Sequence, residues 1–428
     1  MFFLYVIRSV VFILRKFKIT SSTAFPGLLV EKYFPHLVPV LLNKLKDVIV
    51  ITGTNGKTTV ASAIHYILEN SGKKCFINAS GSNMLRGILS HIIINLDNKL
   101  NLEHDYSILE LEEATFPKLV KYIKPKLVIV TNIFRDQLDA YGEIDKTFAY
   151  IKDGIENSNN PTVILNASDQ RLVHLYKCSN RVISVSVSEE VKKYLFLERY
   201  YEKPQELDIH PDVFIHNIEQ KDIDHTLITF EYKNEKYDLE TSILGLHNAI
   251  NLIFAWLAVV HLLGFNDTDN KRFLDILGDF KPAFGRGEKI NISNTEFILM
   301  LVKNPAGMNM NLYSLSDIIS ANDAILFILN DNIADGRDVS WIWDCDFNIV
   351  NRFQNNVILV SGIRKDDIAL RISYEVKDKE IKVFDDYEKI FDHIMQKEYK
   401  RVFVLPTYTA MLSVRKFLYS KLGIKQNL

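Results

Sequence analysis

The sequence predicts an α/β protein, with a central domain built on a mostly parallel sheet and a smaller C-terminal α/β domain. Two series of alternating elements support this fold class. In residues 47–166, short β-branched runs alternate with helical segments, as parallel strands joined by helices do. A second series begins after FKPAFGRGEKI (280–290), where Pro, Gly and charged residues interrupt the pattern. A chain of 428 residues is also too long for one ordinary core.

Composition indicates a globular protein of a reducing compartment. Hydrophobic residues make up 47% of the chain and charged residues 24%, and the formal net charge is -2, so nothing points to nucleic acid as a partner. The three cysteines, Cys75, Cys178 and Cys345, are far apart and form no C-x-x-C pair. Such spacing suits the cytoplasm, where thiols stay reduced, and we expect a cytoplasmic location.

The N-terminal segment, residues 1–46, is expected to be helical and to pack on, or lead into, the central domain. It begins MFFLYVIRSVVFIL, which Arg8 interrupts and basic residues follow, so it falls short of the roughly 20 apolar residues that cross a bilayer. It also lacks a small-residue cleavage site. Two interpretations stay open: a helix lying at a membrane interface, with peripheral contact to the cell membrane, and a helix docked on the first domain.

A phosphate-binding loop is predicted at DVIVITGTNGKTT (47–59). The run 48–51 is typical of a buried parallel strand, and VASAIHYIL (60–68) carries apolar residues at helical spacing. Gly53 and Gly56 would let the backbone turn and present N–H groups to phosphate at a helix N-terminus. Thr52 replaces the first glycine of the general G-x-x-x-x-G-K-[ST] pattern. A chance strand–turn–helix containing GKT is the alternative.

The chemistry expected of this loop is nucleotide binding. Lys57 would reach the terminal phosphates, and Thr58 would hold Mg²⁺. The predicted nucleotide-binding residues of the loop are Gly53, Thr54, Asn55, Gly56, Lys57, Thr58 and Thr59.

Further strands are expected in the central domain, and polar residues follow three of them. The predicted strands are 48–52, CFINAS (75–80), IIIN (92–95), SILELE (107–112), LVIVTNI (127–133) and TVILN (162–166). Parallel strands bind ligands at their carboxyl ends, so TGTNGKT, ELEEAT and TNIFRDQLDAYGE should form one site.

Two of these strand ends carry candidate side chains. Glu110, with Glu112 and Glu113 beside it, would complete a Mg²⁺ shell opposite Thr58, although a solvated acidic turn is the alternative. The other strand end offers a polar set that is unusually dense for a structural loop: Asn132, Arg135, Asp136, Gln137 and Asp139. Gln137 cannot be a general base, so we expect it to have a positioning role.

The rest of the central domain, which we bound at 47–284, is less regular. Residues 167–240 have a charged, weakly periodic middle, and we interpret them as an insertion that returns through the strands HTLITFEY and KYDLE. Their histidines lack metal-ligand spacing. LGLHNAINLIFAWLAVVHLLGF (244–265) is then a core helix with Asn248 and Asn251 at its start.

The C-terminal domain, 285–428, is predicted to contain five strands and four helices. The strands are FILMLV, AILFILN, VILVSG, IKVF and RVFVLP, and the helices are 314–320, 364–372, 386–397 and 409–420. Lys303 would lie at a strand end beside a Pro-Gly turn. NDNIADGRDVSWIWDCDF (330–347) is an acidic loop, and its Trp341 and Trp343 favour a partner contact surface over a merely solvated loop.

Together these motifs resemble the Mur ligase superfamily. TGTNGKTT, ELEEA, TNIFRDQLDAYGE, LGLHNAIN and FGRGEK occur in that order, and LVKNPAGMN, DNIADGRDVSWIWDCDF and LPTYTAML are similar to its MurT branch. The resemblance runs from about residue 25 to 412. The phosphate loop is shared by the whole superfamily, whereas TNIFRDQLDAYGE and DGRDVSW are more specific. The implied fold is a phosphate-loop central domain followed by a Rossmann-like C-terminal domain.

The resemblance implies an amidating ligase of peptidoglycan synthesis. ATP would convert the α-carboxyl of D-glutamate in the lipid II stem peptide to an acyl phosphate. Ammonia from a GatD-type glutaminase, the partner in a heterodimer, would then give D-isoglutamine. ATP and Mg²⁺ are the implied cofactors.

The resemblance also assigns roles to individual residues. Lys57 and Thr58 would bind the triphosphate and Mg²⁺, and Glu110 a second metal position. Asn248 and Asn251 would lie on the adenine side, Arg286 in a hinge motif near the nucleotide, and Asp338 would complete a Cys-His-Asp triad with the glutaminase.

One feature departs from the family pattern. Many members of the MurT branch carry a four-cysteine zinc ribbon, but the corresponding stretch here contains only Cys178, so we expect no zinc and a reduced insertion at about 170–240. Two other functions stay open. One is a self-sufficient Mur-type or folylpolyglutamate-type amino-acid ligase, and the other is a nucleotide-binding scaffold without catalysis.

Overall fold

The computed structural model describes residues 24–78, 82–134, 144–192, 210–264, 267–281, 286–316, 318–354 and 357–424. The apolar N-terminal run and residues 135–143 of the TNIFRDQLDAYGE motif, which include Arg135, Asp136, Gln137 and Asp139, therefore lie outside the described residues. Two sheets organise the rest of the chain, the first with nine strands and the second with six.

The first sheet has the strand order β2-β3-β1-β4-β5-β6-β7-β8-β9. Pairs from β2 to β7 are parallel, and β7, β8 and β9 form an antiparallel meander. Its strands are β1 Val48–Thr52, β2 Cys75–Ile77, β3 Tyr106–Glu110, β4 Leu127–Val130, β5 Thr162–Asn166, β6 Arg181–Val187, β7 Val213–Gln220, β8 Thr226–Tyr232 and β9 Glu235–Thr241.

Helices cover both faces of this sheet because both faces of its parallel strands are apolar. Ile49 and Ile51 point into one cluster, and Val48 and Val50 into the other. The helices are α1 Phe25–Tyr33, α2 Leu37–Leu42, α3 Lys57–Asn70, α4 Leu85–Asn95, α5 Phe116–Leu119, α6 Ile144–Glu156, α7 Gln170–Val173, α8 Glu189–Lys192, α9 Leu246–Leu263 and α10 Asp267–Gly278. A 3₁₀ helix spans His174–Cys178.

The helix predicted at 244–265 is confirmed as α9. Within the described residues it is the one helix long and apolar enough to cross a membrane, but 72% of its apolar window is buried inside the protein. Trp256 lies fully buried at its centre, among the rings of Phe230, Tyr232 and Tyr237. The helix is thus part of the core of the first sheet's domain.

The strand predicted at IIIN (92–95) is wrong, because these residues end helix α4. Ile88, Leu89, Ile92 and Ile93 are all fully buried, and their spacing defines one face of a helix. A run of three isoleucines is too short to decide between strand and helix, and here the residues before it decide in favour of helix.

Residues 167–241 extend the first sheet. HTLITFEY and KYDLE form β8 and β9, as predicted. The sequence analysis did not anticipate β6 and β7, which join the sheet edge through parallel pairing.

The second sheet has the order β10-β11-β15-β12-β13-β14, parallel except for the β10–β11 pair. Its strands are β10 Arg286–Ile292, β11 Thr295–Met300, β12 Asp323–Ile328, β13 Val357–Ser361, β14 Glu380–Val383 and β15 Arg401–Pro406. Its helices are α11 Pro305–Leu315, α12 Lys365–Glu375, α13 Tyr387–Lys397 and α14 Tyr408–Lys421, with 3₁₀ helices at Ser340–Asp344 and Phe347–Arg352.

The five strands predicted for this region are confirmed, but the helix predicted at 314–320 and the Pro-Gly turn after Lys303 are wrong. The helix α11 begins at Pro305, and the Asn304 side chain caps it by accepting a hydrogen bond from Gly307 N at 2.8 Å. Proline is favoured at the first helical position, where its missing N–H costs nothing. Strand β10 is not among the predicted strands, because Pro, Gly and charged residues at and before its start interrupt the apolar pattern.

The two sheets are in direct contact. The tip of the β7–β8 hairpin places Ile223 in the core of the second sheet, beside Ile298 and Met300. Asp224 from the same tip forms an ion pair with Lys289 of β10. The chain passes from the first sheet's domain to the second sheet between Gly278 and Arg286. The domain limits predicted from the sequence stay a prediction.

Candidate nucleotide site between the two sheets

Three strand ends meet at one edge of the first sheet. Ile51 of β1 is in register with Glu110 of β3, and Thr52 with Val130 of β4. Because the strands are parallel, the loops that follow them leave the sheet at the same edge. The phosphate-binding loop therefore lies between Glu110 on one side and Asn132 on the other.

The two glycines of the loop are required by its backbone. Gly53 has φ of 115° and Gly56 has φ of 89°, which L side chains rarely adopt. A Cβ on Gly53 would lie 2.5 Å from Thr131 Oγ1, and one on Gly56 would lie 2.5 Å from Asn251 Oδ1. Gly56 is followed at once by helix α3, so the loop ends on a helix N-terminus that can accept phosphate oxygens.

Lys57 lies folded across the loop. Its ammonium donates hydrogen bonds to Gly53 O at 2.5 Å and to Glu113 Oε1 at 3.0 Å, and both side chains are buried. The sequence predicts that Glu113 lies near the site, but it does not predict this ion pair with Lys57. The carboxylate of Glu113 compensates the charge of Lys57 at the loop, and in this position phosphate oxygens could also accept hydrogen bonds from the ammonium.

Thr58 and Glu110 are brought together as predicted. Thr58 Oγ1 donates to Glu110 Oε1 at 3.0 Å, and Glu110 is 7% exposed. The Asn78 side chain fixes the backbone of Glu110 with bonds of 2.8 and 2.9 Å. A hydroxyl and a carboxylate beside a phosphate loop fit Mg²⁺, which takes one or two carboxylates and completes its shell with phosphate and water. Within the described residues, protein groups alone form no cluster of three or more metal-ligating side chains.

The end of β4 clamps the backbone of Asn55. Thr131 Oγ1 donates to Asn55 O at 2.7 Å, and Asn132 Nδ2 donates to the same oxygen at 3.0 Å. Asn132 Oδ1 also accepts from Asn55 N at 2.9 Å. Asn132 therefore holds the phosphate loop itself, whereas Gln137, for which a positioning role is predicted, lies outside the described residues.

An open cleft lies beside the phosphate loop and helix α11 of the second sheet. Residues of both sheets line it, among them Asn55, Gly56, Thr59, His247, Asn248, Gly287, Lys303 and Gly307. Asn248 Oδ1 lies 3.4 Å from Thr59 Oγ1, and Asn251 packs against Gly56, so both predicted asparagines adjoin the loop. Arg286 begins β10 opposite Met300, and its side chain lies outside the described part of the chain.

Asp338, another predicted site residue, lies away from the phosphate loop. It is in the loop after β12 of the second sheet. Its Oδ1 accepts from Ser340 N at 2.8 Å, and the bonds from Ser340 hold the pKa of this carboxyl below its usual range. Nearby Asp335 is buried and accepts from Thr409 N at 2.7 Å and from Thr409 Oγ1 at 2.5 Å. Asp338 does not line the cleft described above.

The two tryptophans of this loop differ. Trp343 is 49% exposed, as a contact surface requires, but Trp341 is buried in the core of the second sheet. The expectation of two exposed tryptophans is therefore wrong for Trp341, because a 3₁₀ helix over Ser340–Asp344 turns its ring inward.

Two family models match the chain. The Mur ligase middle domain matches residues 51–259, and the MurT ligase C-terminal domain matches residues 301–411. The chain therefore carries a Mur ligase middle domain followed by a C-terminal domain of the MurT ligase type. The two matches contain the phosphate loop and the DGRDVSW segment respectively.

Relatives agree with this assignment. Over 412 residues the chain is 29% identical to the lipid II isoglutaminyl synthase subunit MurT of Staphylococcus aureus strain COL, covering 91% of each protein. It is also 29% identical over 418 residues to the Streptococcus pneumoniae protein of the same name, covering 90% of each. Since these relatives are named as subunits, a partner chain is implied.

Solved structures show the same fold. MurF ligase from Thermotoga maritima, in complex with ADP, superposes with a TM-score of 0.69 at 15% identity, over 91% of this chain and 84% of that one. MurF from Acinetobacter baumannii gives 0.67 at 16% identity, over 94% and 81%. The predicted fold class is confirmed, and the chain is a ligase of the Mur type, a family that uses ATP.

Proposed function

We propose that this chain is the ATP-dependent subunit of a lipid II isoglutaminyl synthase, which converts the α-carboxyl of D-glutamate in the lipid II stem peptide to the amide of D-isoglutamine. The observation that carries the proposal is the combination of a phosphate loop that retains Lys57 and Thr58 with a C-terminal region of the MurT type. The names of the MurT relatives support the reaction, and the cleft supplies the room for a nucleotide.

The reaction proceeds in two displacements. An oxygen of the substrate carboxylate attacks the γ-phosphorus of ATP, the bond to the β–γ bridging oxygen breaks, and ADP leaves. Ammonia then attacks the acyl carbon, phosphate leaves with the former carboxylate oxygen, and the nitrogen loses a proton. The chain's own task is positioning and charge stabilisation, because phosphoryl transfer needs little else from the protein.

Individual residues have defined tasks in this scheme. The N–H groups of the loop and of the first turn of α3 bind phosphate oxygens, and Lys57 stabilises charge on the transferred phosphoryl group. Thr58 and Glu110 would hold Mg²⁺, which when bound neutralises phosphate charge. Asn248, at the wall of the cleft, and Asn251, which packs against Gly56, would lie toward the adenine.

The ammonia would come from a GatD-type glutaminase docked on the second sheet. Three exposed apolar side chains lie in the segments that follow three adjacent parallel strands: Ile333 after β12, Ile363 after β13 and Tyr408 after β15. Asp338 shares the β12 loop with Ile333, and its lowered pKa keeps the carboxylate charged. A charged carboxylate on an apolar docking edge suits a residue that orients an imidazole of the partner.

The test is reconstitution with lipid II, ATP and Mg²⁺, following conversion of carboxyl to amide by mass spectrometry. Amidation should require either glutamine plus the glutaminase subunit or ammonium alone. A self-sufficient amino-acid ligase would instead join an amino acid from a mixture of amino acids without any glutaminase. ATP turnover absent under every condition would identify a scaffold, and either outcome would overturn the proposal.

We further propose that the chain is cytoplasmic and touches the inner face of the membrane through its N-terminal region. The sequence of residues 1–18 is apolar and carries four basic and no acidic residues, and Leu28, Tyr33 and Val40 of the following helices are exposed. Cosedimentation with anionic vesicles should exceed that with zwitterionic vesicles and should fall in an Arg15→Glu, Lys16→Glu variant. Equal sedimentation of both proteins would contradict this.

A further inference from the structure

A pair of asparagines joins the phosphate loop to the second sheet. Asn55 Nδ2 donates to Asn304 Oδ1 at 3.3 Å, and Asn304 Nδ2 donates to Asn55 Oδ1 at 3.1 Å. The two residues are 249 positions apart in sequence, and Asn304 is 1% exposed. We propose that Asn304 is a positioning residue of the ligase, which fixes the phosphate loop in its working geometry only when the two sheets close on each other.

On the loop side of this contact, the end of β4 holds the backbone of Asn55. Thr131 and Asn132 hold the backbone N–H and carbonyl of Asn55 through three hydrogen bonds of 2.7 to 3.0 Å. The next residues are Gly56, wedged against Asn251, and Lys57, the first residue of α3. A displacement of the Asn55 side chain would therefore also move the groups that would bind the β- and γ-phosphates.

On the second-sheet side, Asn304 is held by contacts within its own domain. The Asn304 side chain caps α11 through Gly307 N, and Pro305 restricts the backbone of the first helical turn. Just before it, Val302 N donates to Pro406 O at 3.0 Å, which anchors the β11–α11 connection to β15. Asn304 thus moves with the second sheet as one body.

The chemistry of the pair suits its place. Lys303 and Gly307 on one wall of the cleft and Asn55 and Gly56 on the other would separate if the sheets moved apart. Two neutral amides can bond across such a cleft without adding charge near phosphate, and the bonds break again at modest cost. The asparagine pair can therefore form each time the cleft closes over a nucleotide.

This inference rests on the proposed function only in that the cleft binds ATP. The test compares Asn304→Ser, Asn55→Ser and the double variant with the unchanged chain. Serine at 304 keeps the α11 cap but is too short to reach Asn55. Asn309→Ser is the matched control, since Asn309 lies on the same helix, is fully buried and bonds to Asp346 N, away from the loop.

The first measurement is amide hydrogen exchange at residues 53–60, which needs no substrate. Asn304→Ser and Asn55→Ser should each speed exchange there, and Asn309→Ser should leave it unchanged. The same exchange rate in Asn304→Ser as in the unchanged chain would overturn the proposal, as would equal acceleration by Asn309→Ser.

The second measurement is steady-state kinetics with lipid II, ATP and ammonium. Each single variant should lower kcat roughly tenfold, the loss of one or two neutral hydrogen bonds, and leave the KM for ATP within roughly twofold. The double variant should lose no more than either single one, because both remove the same contact. If the loss of kcat in the double variant were the product of the two single losses, the proposed pairing of Asn55 with Asn304 would be overturned. If the unchanged chain does not amidate lipid II, the proposed function fails, while the exchange measurement still decides the role of Asn304.

Discussion

The carboxyl-terminal edges of the two sheets are built in different ways. At the first sheet, the loop that binds phosphate runs continuously from β1 into α3, and neighbouring strands only brace it. At the second sheet, Asp335 and Thr409, 74 positions apart, form the contact that holds the loop carrying Asp338. The first edge is therefore specified by one short stretch of sequence, and the second by the packing of distant segments. Local changes should act on chemistry at the first edge and on loop placement at the second.

The largest effect is expected at the contiguous edge. Lys57→Ala should lower amidation roughly a hundredfold or more with either nitrogen source, because it removes a charge that stabilises the transferred phosphoryl group. ATP-dependent amide formation is the measurement. Lys73→Ala, an exposed lysine just beyond α3, should keep full activity. Wild-type rates in Lys57→Ala would show that this loop does not carry the chemistry.

Asp338→Asn should show that the edges of the two sheets have different functions. Glutamine-driven amidation should fall by roughly a hundredfold or more, since an amide cannot orient the partner's imidazole as a carboxylate does, while ammonium-driven amidation should persist. Rates with both nitrogen sources give the answer, with the exposed Asp366→Asn as control. Equal loss with both sources would place Asp338 in the ligase site or in the fold.

Asp335→Asn tests whether the second edge depends on packing. The change weakens two bonds to Thr409, so the free energy of unfolding should fall by about 1–3 kcal/mol. Thermal or urea unfolding measures this. Glutamine-driven amidation should fall more than ammonium-driven amidation, because the loop that carries Asp338 loses its anchor. An unchanged ratio of the two rates would mean that Asp338 is placed without Asp335.

The smallest effect concerns the opposite edge of the first sheet. His104 Nε2 accepts from Lys46 N at 3.1 Å and Nδ1 lies 3.1 Å from Leu102 O, an arrangement that fits the neutral ring. Burial lowers its pKa below 6.5, so its contribution to stability is complete above pH 6.5 and is lost as pH falls through the lowered pKa. His104→Gln should make unfolding free energy less sensitive to pH below 6.5. An identical pH profile in both proteins would contradict this.

The difference between the edges also explains what the sequence could predict. The strand, loop and helix at 48–70 were predictable because their residues are contiguous and each position has one physical requirement. The ion pair of Lys57 with Glu113 and the pair Asn55–Asn304 were not, since no periodicity links residues 56 or 249 positions apart. IIIN was misassigned because its local preference for strand is outweighed by the helical face that begins at Ile88. The roles assigned to Asn248, Asn251, Arg286 and Asp338 stay predictions.

The β7–β8 hairpin limits how this protein can be recombined. Its tip supplies Ile223 to the core of the second sheet and Asp224 to Lys289. A chimera that joins the second sheet to the first half of another ligase, with a crossover near residue 285, would leave a hole where Ile223 packs and an unmatched lysine at β10. A functional graft would have to carry residues 221–225 along with the C-terminal half. The hairpin tip and the C-terminal half are separated in sequence, but they would have to be transferred together.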